Sequence, residues 1–167
     1  MLLGIAKIIG SPGSELPFEL ELDFSDMEFG ACRPAAEPVR ASGRVKNTAG
    51  VLLLEAELST NIHGVCDRCT REFERQLTIP VNAVLETDPD SQQPDDLWTF
   101  TVEGDAVDLD EILRTAFVFG MDSKMLCDED CKGLCCRCGA DLNLGPCDCK
   151  PELDPRFDVL RKLLEKQ

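Results

Sequence analysis

A chain of 167 residues, 43% of them hydrophobic, has the size of one domain and enough apolar side chains to build its own core. Its 32 Asp and Glu outnumber 17 Lys and Arg, and the resulting formal charge of −15 repels phosphate backbones and disfavours a general nucleic-acid binder. No segment approaches the roughly 18 uninterrupted apolar residues that span a bilayer. The apolar start MLLGIAKIIG lacks a basic leader and a small-residue cleavage pattern, so the expectation is a soluble, cytoplasmic protein with no membrane association.

In chain order, residues 3–9 read as a first strand and residues 16–24 as a second. Residues 39–45 and 51–58 form a hairpin through Lys46-Asn47-Thr48-Ala49-Gly50, a loop slightly longer than the tightest type. Within its second arm Leu52, Leu54, Ala56 and Leu58 share one face and Glu55 and Glu57 the other, the alternation of a half-buried strand. Strands are also expected at 73–85 and 97–102, separated by a loop at 88–96 that carries Pro89 and Pro94 among acids and glutamines. The period then changes. Asp108 can cap a helix with Glu111 three positions on, and Leu109, Ile112, Leu113, Ala116 and Phe117 follow at helical spacing until Gly120. Asp154-Pro155 predicts a short terminal helix over 156–166 presenting Phe157, Leu160 and Leu164. The whole reads as an α+β chain. Residues 1–120 form a β-rich sheet or partly open barrel with a closing helix, and 121–167 a cysteine-rich, zinc-binding segment with the terminal helix.

The ten cysteines fall in a chain without a secretory address, where close pairs mark metal more often than disulfides. Cys66 and Cys69 form a CxxC, Cys127 and Cys131 a CxxxC, Cys135 and Cys138 a second CxxC, and Cys147 and Cys149 a CxC. Zinc takes four thiolates at about 2.3 Å in a tetrahedron, so eight ligands make two closed, structural sites. Cys135, Cys138, Cys147 and Cys149 join most readily, with Gly139, Gly145 and Pro146 supplying turns. Cys66 and Cys69 then share an ion with Cys127 and Cys131, stapling the C-terminal segment to the sheet. Iron is held by the same ligand type. Cys136 competes with its neighbour Cys135, while isolated Cys32 reads as a small buried hydrophobe.

Catalysis finds little support. His63 is the only histidine, sites closed by sulfur leave no open position for a hydrolytic water, and no phosphate loop or serine elbow occurs. With no tyrosine and one tryptophan, Trp98, a base-stacking platform is poorly supported too. The expectation is a protein without enzymatic activity.

Taken together, Cys66-Asp67-Arg68-Cys69, Val107-Asp108-Leu109-Asp110-Glu111, Cys131-Lys132-Gly133-Leu134-Cys135, Cys138-Gly139-Ala140-Asp141-Leu142-Asn143, Cys147-Asp148-Cys149 and Asp154-Pro155-Arg156-Phe157 resemble the YceD family, named for accumulation of large-subunit ribosomal RNA. Cys136 departs from that pattern, which would have proline there. The resemblance implies a ribosome biogenesis factor that supports 23S ribosomal RNA levels. Between Gln76 and Leu113 lie ten acids and no base, a surface suited to a basic ribosomal or assembly protein. Direct RNA binding would rest on Arg40, Arg44, Lys46, Arg68, Arg71 and Arg75, which are interleaved with acids. A rival reading is a redox- or metal-responsive regulator that releases zinc on oxidation.

Overall fold

The computed structural model describes residues 1–29, 35, 37–87, 98–102 and 104–149. The predicted terminal helix, the 88–96 loop and Cys32 lie outside these residues. Strands β2 (Glu15–Leu22), β3 (Val39–Thr48), β4 (Val51–Val65) and β5 (Glu72–Glu86) form an antiparallel meander, and β6 (Thr99–Thr101) adds in parallel to β5. The sheet order is β2-β3-β4-β5-β6, an open sheet rather than a closed barrel. A second, two-stranded sheet pairs β1 (Leu2–Gly4) with β7 (Ala106–Asp108), and helix α2 (Leu109–Gly120) follows directly.

Alternation decides which face is covered. Val39, Ala41 and Val45 on β3, Leu54 and Leu58 on β4, and Val81 and Ala83 on β5 point to one side. They meet Leu109, Ile112, Leu113, Ala116 and Phe117, the apolar stripe expected of α2. Asp108 caps this helix as expected, its carboxylate accepting from the Asp110 N–H at 3.1 Å, and Asp110 and Glu111 place negative charge against the positive end of the helix dipole. At the other end a Cβ on Gly120 would lie 2.5 Å from the Ile79 side chain. A bare backbone there lets the helix end tightly on β5.

The start of the chain differs from the single strand expected over 3–9. After β1, residues Ala6–Ile9 form one helical turn, α1, that buries Ile8. Ile5 and Ile8, three apart, are both buried while Lys7 is exposed, a helical period hidden inside an apolar run. The turn is held from outside: Asn47, only 2% exposed, donates its side-chain amide to the carbonyls of Ile8 at 2.7 Å and Ile9 at 2.9 Å. Asn47 also corrects the hairpin. Its carboxamide oxygen accepts from the Gly50 N–H at 2.9 Å, and pairing continues to Thr48 opposite Val51. The loop is therefore the two residues Ala49 (φ 53) and Gly50 (φ 95), the primed turn whose twist matches the strands, and both arms extend beyond the predicted 45 and 58.

On the outer face, Glu55 binds the Lys46 ammonium and, at 3.2 Å, the Arg44 guanidinium. The Lys46 hydrogen bond is the main reason that the Glu55 carboxyl titrates below its ordinary 4.5, against a smaller opposing effect of burial. A depressed carboxyl pKa stabilises the fold above the unfolded value, and that contribution disappears as pH falls through the folded value. The stability difference between the parent and Glu55→Gln should thus stay constant from neutral pH down to about 5 and shrink below 4.5. Urea titrations at half-unit pH steps measure it, and a difference still undiminished at pH 3 would refute the assignment.

Candidate metal centres

The β4–β5 turn, residues 66–71, places two sulfurs at the open end of the sheet. The Cys66 N–H donates to the Arg71 carbonyl at 2.8 Å and the Thr70 N–H to the Cys66 carbonyl at 2.9 Å, with Thr70 in the left-handed region at φ 58. The chain leaving α2 crosses this turn and brings up Cys127 and Cys131. The four sulfur atoms lie within 4.8 Å of one another. Cys66 to Cys131 is 3.8 Å and Cys69 to Cys127 is 3.6 Å. A regular tetrahedron with metal–sulfur bonds of about 2.3 Å spaces its sulfurs about 3.8 Å apart, so the donor set already has the size of a four-thiolate zinc site. Cys66, Cys69 and Cys131 are buried, and Phe73 and Leu126 pack against them.

The tetrad is clamped by the two residues inside its CxxC. Asp67 forms a reciprocal pair with Met125: its N–H donates to the Met125 carbonyl at 2.8 Å, and its carboxylate accepts the Met125 N–H at 2.8 Å. The Arg68 guanidinium donates to the carbonyls of Cys131 at 2.8 Å and Glu129 at 3.2 Å, while the Arg68 carbonyl accepts from the Leu134 N–H at 3.1 Å. The chain passes so close there that a Cβ on Gly133 would sit 2.9 Å from the Arg68 oxygen, and its φ of +74 favours glycine.

Cys135, Cys138, Cys147 and Cys149 form the second tetrad, again with sulfurs within 4.8 Å. A knuckle builds it. The Gly139 N–H reaches the Cys135 carbonyl at 2.9 Å, the Cys135 N–H reaches the Ala140 carbonyl at 2.8 Å, and Leu134 bridges Asp141. Cys138 is exposed and the other three half-buried, so this centre is the wetter one. Cys136 is exposed and stands outside both groups, and the sulfur that joins the tetrad by position is that of Cys135.

Each tetrad favours one thiolate and resists more. Burial pushes the Cys66 thiol up, but N–H groups of Cys127, Cys69 and Arg68 aimed at its sulfur outweigh that and bring it to about 6. Burial and then the neighbouring sulfurs push Cys127 up to about 12. In the second tetrad the N–H groups of Cys138 and Arg137 lower Cys135 to about 6, while the Cys138 sulfur raises Cys149 to about 12. Crowded thiols that cannot all ionise alone are what a dication resolves, since it binds the thiolates and displaces their protons.

The other sequence candidates are placed elsewhere. His63, opposite Glu74 in the β4–β5 ladder, sits 3.2 Å from its carboxylate on the sheet surface. Each of the six candidate cations already meets an acceptor. Arg40 faces Glu21 at 3.4 Å, Arg44 and Lys46 share Glu55, Arg68 caps the Cys131 carbonyl, Arg71 binds Asp141 at 2.9 Å, and Arg75 binds Asp122. Asp67, Arg68 and Asn143 lie inside the motifs, but spacing assigns a role only to the cysteines around them.

With two thiol tetrads at these spacings, comparison with known proteins becomes decisive. The family model of the large ribosomal RNA subunit accumulation protein YceD matches residues 54–164. The chain belongs to the YceD family. The match takes in β4 from residue 54 onward, β5, α2 and all eight tetrad cysteines. A similar protein in Arabidopsis thaliana, the chloroplastic large ribosomal RNA subunit accumulation protein YCED homolog 1, is 25% identical over 163 residues, covering 80% of this chain and 50% of the relative. The maize protein of the same name is 25% identical over 144 residues, covering 68% and 49%. This YceD-family chain therefore spans about half the length of those relatives. No solved structure matches it significantly. Among the described residues no helix is long and apolar enough to cross a membrane.

Proposed function

We propose that this protein is a non-enzymatic ribosome biogenesis factor that supports accumulation of 23S ribosomal RNA by way of a protein partner. The observation that carries the reading is the family match, which runs over the sheet end and both tetrads. Zinc, one ion in each tetrad, is the metal we assign: the donor set is all sulfur, the spacing fits about 2.3 Å bonds, and no coordination position is left open for catalysis. Cys66, Cys69, Cys127 and Cys131 would hold one ion and tie residues 121–167 to the 1–120 body. Cys135, Cys138, Cys147 and Cys149 would hold the other.

The partner follows from charge. A net charge of −15 disfavours RNA, and the six cations that could form a basic patch would each have to give up an internal acceptor to reach a phosphate. Acidic side chains at Asp105 and Glu111 are exposed, and the sequence between Gln76 and Leu113 carries eight further acids. A basic ribosomal or assembly protein complements that surface. A reducing compartment such as the cytoplasm suits free thiols that serve as ligands.

The test is affinity capture from lysate of the protein's own host, with and without nuclease. Large-subunit ribosomal proteins should be retained after nuclease, and depletion of the factor should lower 23S ribosomal RNA. RNA captured after every protein partner has been stripped away would overturn the partner-mediated reading. A second reading, zinc release on oxidation, draws on the exposure of Cys136 and Cys138. Full zinc retention after mild peroxide would leave it without support.

A further inference from the structure

One side chain of the second tetrad's loop reaches a sulfur of the first. Asn143 lies between Cys138 and Cys147, in the loop that the second tetrad closes, yet its carboxamide also reaches the first. Its side-chain nitrogen is 3.5 Å from the Cys131 sulfur and 2.7 Å from the Asp141 carboxylate, so it has one amide hydrogen for each. Its carboxamide oxygen accepts the Lys132 N–H at 2.7 Å, immediately after Cys131. Asp141 takes the Asn143 backbone N–H at 2.9 Å on the same oxygen, and its other oxygen takes the Arg71 guanidinium at 2.9 Å. Arg71 in turn ends the β4–β5 turn that carries Cys66 and Cys69. A circuit closes from the first tetrad's turn, through Asp141 and Asn143 in the second tetrad's loop, back to Cys131.

We infer that Asn143 is a positioning residue for the first metal centre, through which closure of the second centre strengthens metal retention at the first. A thiolate bound to a dication keeps a large negative charge, and an N–H aimed at that sulfur holds the charge in place and fixes the direction of its lone pairs. Cys131 is 3% exposed, so water has little access to replace that donor. Asn143 can present its amide only while residues 138–147 are folded back, and that fold is what the second tetrad secures. The coupling therefore runs between sites whose ligand sets share no residue. This inference rests on the zinc reading above.

The experiment compares the parent, Asn143→Asp and Asn143→Ala with zinc loaded. Asn143→Asp keeps the shape and the acceptor for the Lys132 N–H but exchanges the donors for a carboxylate, and Asn143→Ala removes the donors without adding charge. A loss common to both therefore belongs to the missing donor, while unchanged retention in the aspartate variant counts against the inference even if the alanine variant does not fold. Cadmium-113 substitution gives one resonance for each tetrad, assigned by which signal Cys66→Ser and Cys147→Ser each remove. Chelator competition is then followed signal by signal. Both Asn143 variants should weaken retention at the first tetrad by about tenfold, the lower part of the range for residues that support a metal ligand, because Asn143 is itself exposed on one side. The second tetrad should change less than about threefold, since none of its sulfurs loses that donor. Cys147→Ser should also weaken the first tetrad, and adding Asn143→Asp to it should cost little more, because both changes break one link. Unchanged retention at the first tetrad in both Asn143 variants, or a loss confined to the second, would overturn the inference. Parent protein that binds no metal would instead refute the zinc reading itself.

Discussion

Cys66→Ser should lower the zinc content of the purified protein from two ions per chain to one and free the segment from Met125 to Leu134 from the β4–β5 turn. Without the metal that segment is held by the Asp67–Met125 pair, the Arg68 bonds to Cys131 and Glu129, and the Arg71–Asp141 ion pair. Each such bond nets about 1 kcal/mol, and exposed ion pairs less, whereas a structural four-ligand zinc contributes about 10 kcal/mol or more. Removing a ligand therefore exceeds what the remaining bonds can offset. Hydrogen exchange reads it out: the amides of Asp67 and Leu134, which bond across the junction, should lose protection while those of β3 and β4 residues keep theirs. Cys147→Ser should also leave one zinc, but with the Asp67 and Leu134 amides still protected, since the first tetrad is complete without it. Equal loss of protection in both variants, or loss of both ions on removal of Cys66, would reject the division into two tetrads.

The grouping of eight cysteines was legible because a CxxC or CxC turn binds its two sulfurs to one ion by covalent geometry alone, and eight residues between Cys138 and Cys147 leave one economical closure. The long-range half, Cys66 and Cys69 with Cys127 and Cys131, followed by elimination. Helix α2 was legible for a similar reason, since its cap and its apolar stripe are local features. What resisted reading were elements whose conformation is imposed from a distance. Residues 6–9 coil because Asn47, 38 positions from Ile9, takes their carbonyls. Strand β7 is three residues long, too short for a period, and exists because Leu2 to Gly4 pair with it. The roles of Asp67, Arg68 and Asn143 were hidden in the same way. Each is a polar residue inside a motif whose partners, Met125, the Cys131 carbonyl and the Cys131 sulfur, are defined only once the chain has crossed the turn. Charge behaved differently again: the sequence shows cations and acids interleaved, but only the register shows that each candidate cation is already engaged.

Phe117→Ala should be the most damaging single truncation in the body of the protein, at about 3–5 kcal/mol, a large share of the 5–15 kcal/mol by which domains are stable. The ring is fully buried on the sheet side of α2, and its centroid lies 5.1 Å from that of Phe24 and 6.1 Å from that of Phe29. Phe24 is itself covered by the Arg114 guanidinium at 4.8 Å from its centroid, so the space left by the missing ring cannot be filled from that side without breaking a second contact. Phe119, two positions on, is 73% exposed and meets the rim residue Trp98 edge-on at 5.4 Å. Its truncation should cost less than about 1 kcal/mol, since little apolar area is returned to water. Urea midpoints measured with zinc held constant, and with unchanged denaturant dependence, test the contrast. Equal midpoint shifts for the two variants would mean that α2 does not present Phe117 to the sheet. Below its own transition Phe117→Ala should still bind two zinc ions, because all eight sulfurs lie outside α2 and the 66–71 turn is held by its own backbone bonds. The two substitutions thereby separate the forces that build the body from those that fasten the cysteine-rich segment to it. A Phe117→Ala protein that folds when cold but fails to support 23S ribosomal RNA only on warming would place the biological requirement on the assembled surface rather than on the metal alone.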